Sequence, residues 1–276
     1  MNQYILRTFL ALGFLQLAVL GRAQPTKAAE GWSVSVGGGA IWAPAFPGSN
    51  DYQLMVVPDV RVNYGEVFFA SVDKGIGYNL INNESWVAGP VAKVDFGRKA
   101  DGDSTFRVAG SKSNALIGFQ DLDATMQVGA FVSHRSAGWT TKLELVQALG
   151  GHEGLTADVS LEYLMNLSES GNRNGPPLLF ATGPRLRWAD ANYTNAYFGV
   201  TVRDALATGL PAYRTSSGVN TLGWGAAVVR PINRQLSFIA FAGYDRLLGD
   251  AADSPLVQQR GSENQFSLGL LLAYKL

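Results

Sequence analysis

From Trp32 onward the chain alternates apolar and polar or small residues with a period of two, the signature of β-strands. Trp32, Val34, Val36, Gly38, Ala40 and Trp42 fall on one face, with Ser33, Ser35, Gly37 and Gly39 on the other. Trp86, Ala88, Pro90, Ala92, Val94 and Phe96 repeat the arrangement against Lys93 and Asp95. Trp139, Thr141, Leu143 and Leu145 oppose Lys142 and Glu144, while Leu155, Ala157, Val159, Leu161 and Tyr163 oppose Asp158 and Glu162. Leu186 and Trp188 stand against Arg185 and Arg187, and Phe266, Leu268, Leu270, Leu272, Tyr274 and Leu276 against Ser267, Gly269, Ala273 and Lys275. The charges keep to one side throughout.

Two architectures give this alternation: a soluble sandwich or barrel with its apolar face inward, and a transmembrane barrel with its apolar face outward. Segments of about 10–13 residues, longer than the usual 5–6, favour the second. So do aromatic residues near segment ends and small residues as the opposite partners. The expected fold is all-β: an antiparallel, up-and-down transmembrane barrel. The charged face then lines the lumen, where Asp59, Arg61, Lys93, Asp95, Lys142, Glu144, Asp158, Glu162, Arg185 and Arg187 form a candidate network. Because both signs occur together, cross-strand pairing within a solvated polar interior is expected rather than a single-sign selectivity ring.

Such barrels have short periplasmic turns and long outer loops. Asn63-Tyr64-Gly65, Ser136-Ala137-Gly138 and Pro231-Ile232-Asn233-Arg234 read as short turns, with Gly, Pro and Asn supplying the geometry. Long connections fall at about 97–121, 189–217 and 247–262. Strands are expected near 31–42, 54–63, 66–72, 75–81, 85–96, 122–134, 139–149, 155–167, 178–188, 218–231, 236–246 and 263–276, a count of twelve, with ten or fourteen as alternatives. The weak point is 66–81, too short to span twice at about 9–11 residues per strand. If it is one strand, 193–202 supplies the missing partner.

Residues 1–23 read as an export signal: Arg7, an apolar run from Thr8 to Leu20, and the small-residue site Gly21-Arg22-Ala23, with cleavage after Ala23. Residues 24–30 form a short periplasmic segment before the barrel at 31–276. Lys+Arg and Asp+Glu are equal at 22 each, so nothing marks the chain for nucleic acid. Charged residues reach only 16%, below the roughly 25% of soluble domains. The absence of cysteine removes disulfides, thiolate metal sites and a thiol nucleophile.

Several blocks resemble the MipA/OmpV family of outer-membrane proteins. They are Pro44-Ala45-Phe46-Pro47-Gly48-Ser49-Asn50-Asp51-Tyr52, Gly75-Ile76-Gly77-Tyr78-Asn79-Leu80, and Gly89-Pro90 with Val94-Asp95-Phe96-Gly97-Arg98. Gly150-Gly151-His152-Glu153-Gly154-Leu155, Trp188-Ala189-Asp190 with Tyr197-Phe198-Gly199-Val200, and Gly209-Leu210-Pro211-Ala212-Tyr213 continue in the family's order. Leu247-Leu248-Gly249-Asp250-Ala251-Ala252-Asp253-Ser254-Pro255 leads to Gly261-Ser262-Glu263-Asn264-Gln265-Phe266. One departure is the terminus Tyr274-Lys275-Leu276, where such barrels usually end in Phe or Trp. The resemblance implies a non-enzymatic barrel in the outer membrane of a Gram-negative cell, surrounded by outer-membrane lipid. Its partners would be a murein lytic transglycosylase and a bifunctional penicillin-binding murein synthase, between which it would act as a scaffold. A surface adhesin or environmental sensor using the long loops, or a narrow diffusion channel, are the alternatives.

Candidate chemistry is sparse, and no cofactor or metal is implied. His134 with Ser133 and Ser136, and His152 with Glu153 and Asp158, are the only conceivable hydrolase fragments. His134 is in phase with the outward apolar face at a strand end, and His152 sits in a glycine-rich turn where a solvated side chain is expected. Asp101, Asp103, Asp121 and Asp123 lack the calcium-loop spacing. Asp250, Asp253, Arg260 and Glu263 in the last long loop form a candidate partner surface, or else pair within the loop. Gly37-Gly38-Gly39 marks close packing or a kink.

Overall fold

The computed structural model describes residues 31–104, 106–170 and 177–276. The expected export signal and the 24–30 segment lie outside the described residues. In chain order the strands are β1 (Trp32–Pro44), β2 (Tyr52–Tyr64), β3 (Phe68–Ser71), β4 (Gly75–Tyr78), β5 (Ile81–Asn82), β6 (Trp86–Asp95) and β7 (Arg107–Ala109). There follow β8 (Thr125–Ser136), β9 (Trp139–Ala148), β10 (Leu155–Asn166), β11 (Leu179–Ala189), β12 (Gly218–Pro231), β13 (Leu236–Leu247) and β14 (Asn264–Lys275). Each long strand pairs antiparallel with its sequence neighbour, and β1 pairs with both β2 and β14, which closes a twelve-stranded barrel. Closure removes the free edges that an open sheet of this size would otherwise present. Two short strands stand outside the wall count: β5 pairs with β6, and β7 with β2.

The period-two pattern sets the two faces. Val36, Val56, Leu143, Leu145, Leu268, Leu270 and Leu272 are exposed on the outside, where only a hydrocarbon environment makes such a belt favourable. Aromatic contacts ring both ends of the belt. At the short-turn end Trp32 meets Tyr64 at 5.0 Å, Trp139 meets Tyr163 at 4.7 Å and Trp86 meets His134 at 4.5 Å. At the long-loop end Trp42 stacks on Tyr52 at 4.1 Å and Tyr244 contacts Phe266 at 5.0 Å. These are the paired girdles of a membrane barrel.

The turns obey local geometry. Ala137 and Gly138 both take positive φ, 46° and 89°, the pair a two-residue type I′ hairpin requires. Segment 66–81 resolves into two four-residue wall strands, β3 and β4, so it counts twice without spanning twice. The alternative strand at 193–202 does not form. Helix α1 (Ala191–Phe198) covers most of it, because the Asp190 side chain accepts from the Tyr193 N–H and caps a helix there. Helices α2 (Val202–Thr208), α3 (Gly249–Ala252) and α4 (Pro255–Arg260) complete the long-loop end. Their apolar side chains pack with those of the neighbouring loops as a lid: Tyr197, Phe198 and Ala251 form one cluster, and Phe46, Leu116, Val200 and Leu256 another.

The interior departs from the solvated polar lumen expected. Leu179, Ala181, Ala227, Val229, Ile239 and Ala273 pack together inside the wall, with Phe241 and Leu271 against them. Val87, Val91, Phe131 and Val146 make a second inward cluster. The alternation held but the inward partners were not uniformly polar, so much of the barrel is filled as a core is filled.

Candidate functional site

The inward charges pair, though not always with the nearest strand. Arg187 donates from Nε to Asp158 Oδ1 at 2.7 Å and from Nη2 to Oδ2 at 2.9 Å, and the two residues are register partners on β10 and β11. Arg61 reaches Asp59 on its own strand at 2.8 Å. Lys93 on β6 and Lys142 on β9 share one carboxylate, Glu144, so that this trio carries a surplus positive charge. Glu162 lies in the electrostatic field of Lys74, a residue of the β3–β4 turn. Arg185 makes a two-point pair with Asp245 on β13, at 2.7 and 2.6 Å, reaching across β12. Gly223 and Gly243 make room for it, since a Cβ at Gly223 would overlap Asp245 Oδ1 and one at Gly243 would come within 2.8 Å of Arg185 Nη2. Asp245 is absent from the candidates read in the sequence. Its signal was there, two residues on from Gly243 and in phase with the inward Ile239 and Phe241.

Asp95 ends β6 beneath the lid and is the junction between wall and loops. Its Oδ1 accepts from Tyr197 Oη at 2.8 Å and from the Gly97 N–H at 2.9 Å, and its Oδ2 lies 3.2 Å from His152 Nε2. His152 is buried here, which overturns the solvated turn expected for it. The reason is long-range: the turn folds back so that Gly154 N–H donates to His152 Nδ1 at 2.9 Å while Nε2 meets Asp95. With both ring nitrogens engaged, His152 anchors its turn to the end of β6. Beside it Arg98, also buried, donates to the Tyr197 carbonyl at 2.6 Å and lies over the Phe119 and Tyr197 rings. Burial lowers the Arg98 guanidinium to about 10. Burial also pushes the Tyr197 phenol well above its ordinary range, with the Asp95 charge adding to the shift, so it stays a hydrogen-bond donor.

The remaining candidates are committed within the loops. Asp250 accepts from both the N–H and Oγ of Ser216 at 2.6 Å, and these bonds hold its carboxyl below the usual range. Arg260 donates to the carbonyls of Ala115 and Thr208, tying α4 to the loop at 114–116 and to α2. Glu263 pairs with Arg246 at 2.8 Å. Asp253 is exposed at the end of α3, where its N–H caps the helix onto Gly249. The four therefore do not converge on one face. Asp101 and Asp103 pair with Lys112 and Arg107, and Asp121 with Lys99. Among the described residues no group of three or more His, Asp or Glu side chains is placed to hold a metal ion. His134 faces outward on Trp86, at the headgroup level expected for it.

The family model described as "MltA-interacting protein MipA" matches residues 36–276. No match was found among the curated protein sequences. Solved structures that the chain is similar to include OprD from Pseudomonas aeruginosa, at 12% identity, with 90% of this chain and 65% of that one covered and a TM-score of 0.35. A bacterial polysaccharide outer-membrane secretin shares 8% identity over 90% of this chain and 99% of its own, with a TM-score of 0.40. Neisserial surface protein A shares 9% over 89% and 97%, with a TM-score of 0.27. The chain thus spans just under two thirds of the OprD chain.

Proposed function

Because the chain belongs to the family of the MltA-interacting protein MipA, we propose that it is a non-enzymatic barrel of a Gram-negative outer membrane. There it tethers a murein lytic transglycosylase, and with it a bifunctional murein synthase, at the membrane's periplasmic face. The family match over 36–276 carries this reading, since the family is named for binding a protein of that class. Three features of the chain support it. The apolar belt between two aromatic girdles suits a membrane. Both histidines are engaged in packing or loop anchoring. The packed lid and the apolar interior clusters favour a protein-binding role over free diffusion through the lumen.

The test is crosslinking and affinity capture from the native envelope, with the tag in a long loop so that the short turns stay free. Recovery of a lytic transglycosylase or a murein synthase is the expected result. Recovery of neither, with the barrel present and folded, overturns the tethering role.

A further inference from the structure

The wall thins out beside β2. β3 and β4 are four residues each, while the strands on either side, β2 and β6, run for 13 and 10. β4 pairs with β6 at Ile76 with Ala92 and Gly77 with Val91, and at the tip of the hairpin Val72 N–H donates to the Val60 carbonyl. On that side β2 finds its next partner at Val56, whose N–H donates to the Phe106 carbonyl in the loop leading into β7. Between the two stands Pro58, which has no N–H to leave unpaired.

A cavity of about 390 Å³ lies beside this hairpin, within the roughly 300–1,000 Å³ of small-ligand sites. Val60, Ile76, Val94 and Met126, all exposed on the outer face of the wall, supply its apolar lining. Its charged lining is three carboxylates, Asp73, Asp95 and Asp158, against two cations, Lys93 and Arg187. Both cations are engaged. Arg187 donates from Nε and Nη2 to Asp158 and from Nη1 to Tyr193 Oη, and Lys93 is held by Glu144. Asp95 is engaged too, by Tyr197, the Gly97 N–H and His152.

Asp73 differs. It has the Ser71 hydroxyl as a side-chain donor, but its Oδ1 is buried with no hydrogen-bond partner. Its charged neighbours are Lys74 and Arg61; Arg61 is bonded to Asp59, and Lys74 stands at once in the fields of Asp73, Glu162 and Asp59. A buried charged acceptor without a donor is among the costliest polar groups to leave unmade, and a donor that carries positive charge answers it best. The broad χ2 well of an aspartate lets this oxygen turn toward a ligand in the cavity. Among the described residues no group of three or more His, Asp or Glu is placed to hold a metal ion, and one carboxylate in an apolar cavity suits an organic ammonium better than a bare hard cation.

We propose that this cavity binds a small organic ammonium ion, its charged head bonded to Asp73 and its compact apolar body lying against Val60, Ile76, Val94 and Met126. The inference goes beyond the tethering role and is independent of it.

The full chain in detergent micelles is titrated by calorimetry with phenethylammonium chloride, with 2-phenylethanol as its neutral match and with 3-phenylpropanoate as its anionic one. Protein-free micelles give the partition baseline. Saturable binding of the ammonium is expected, at least about tenfold tighter than that of the alcohol, the scale of one charged hydrogen bond, and no binding of the carboxylate. Asp73→Asn should bring the ammonium to the level of the alcohol and leave the alcohol unchanged. Ile76→Trp, which fills the cavity from its outer side, should abolish saturable binding, whereas Leu222→Trp on β12, across the barrel, changes nothing. Heat-modifiable gel migration verifies that each variant is a folded barrel, and the comparison of the three probes on the native chain stands without any variant. Equal affinity for ammonium and alcohol, which marks a cavity that selects only apolar bulk, overturns the proposal. So does ammonium binding that survives Asp73→Asn or Ile76→Trp undiminished. Partner capture from Ile76→Trp envelopes reads the tethering role separately.

Discussion

Replacing Asp245 by Ala tests whether the barrel interior behaves as a protein core. The pair it forms with Arg185 spans β11 to β13, with two charged hydrogen bonds of 2.7 and 2.6 Å, and the two side chains are only 19% and 5% exposed. Truncation takes both of these charged hydrogen bonds from the buried guanidinium, so the loss should approach the roughly 3–5 kcal/mol seen when one member of a buried pair is removed. Replacing both members, as Arg185→Met with Asp245→Leu, should restore most of this, because an apolar pair of similar volume often matches a buried ion pair. Gly223→Ala provides a route to the same damage without touching a charge, as its Cβ would fall on Asp245 Oδ1. Urea unfolding in micelles, followed by tryptophan fluorescence, reads all three variants. Trp224 on β12 lies between the paired strands and serves as a local reporter. A cost below about 1 kcal/mol for Asp245→Ala, or a double variant no better than the single, would refute the argument and mean that water solvates the pair.

Three further outcomes follow from the lid. Tyr197→Phe removes the hydroxyl donated to Asp95 and should loosen α1 by about 1–2 kcal/mol, read as faster protease cleavage of the 189–217 connection; unchanged cleavage would show that the His152 contact alone secures it. Asp250 is held below its ordinary 3.8 by Ser216, so its contribution to loop docking is full above that pH and is lost as pH falls through the depressed value. Cleavage at 210–217 should therefore rise at acid pH in the native protein but not in Asp250→Asn, and equal pH profiles would count against the anchor. In planar bilayers the intact protein should show no steady conductance, and deletion of 191–210 should raise it; a steady open level from the intact barrel would favour the channel reading.

Much of the wall was legible because a membrane barrel writes its two faces into alternate residues, and a one-residue error would put charge into lipid. The twelve expected segments correspond to the wall strands, including the doubtful 66–72 and 75–81. Other features depend on contacts far apart in sequence. The burial of His152 is set by Asp95, and the apolar packing inside the wall by Ile239, Val229 and Leu179, whose phase matches that of polar inward residues elsewhere. The helix at 191–198 left a local sign, Asp190 as cap and Tyr193 and Tyr197 four apart, which the aromatic spacing of a strand end obscured. Of the charge network, the residues were readable but not the partners. Lys142 pairs within its own strand, and Arg185 passes over its neighbour, because side-chain length and glycine gaps decide reach.

The join between β1 and β14 has a consequence for assembly. It binds Ser35 to Lys275, 240 positions apart, and Gly37 and Gly39 meet the β14 backbone so closely that a Cβ on either would overlap the carbonyls of Leu272 and Leu270. The other pairings of the wall join strands consecutive around the barrel in chain order, whereas this one must wait until both ends of the sheet have been shaped. The glycines thus act on the final docking event, where a methyl group would turn a seam into a lock that does not engage. A Gly39→Ala chain should accumulate as an open, protease-sensitive sheet with all its hairpins formed.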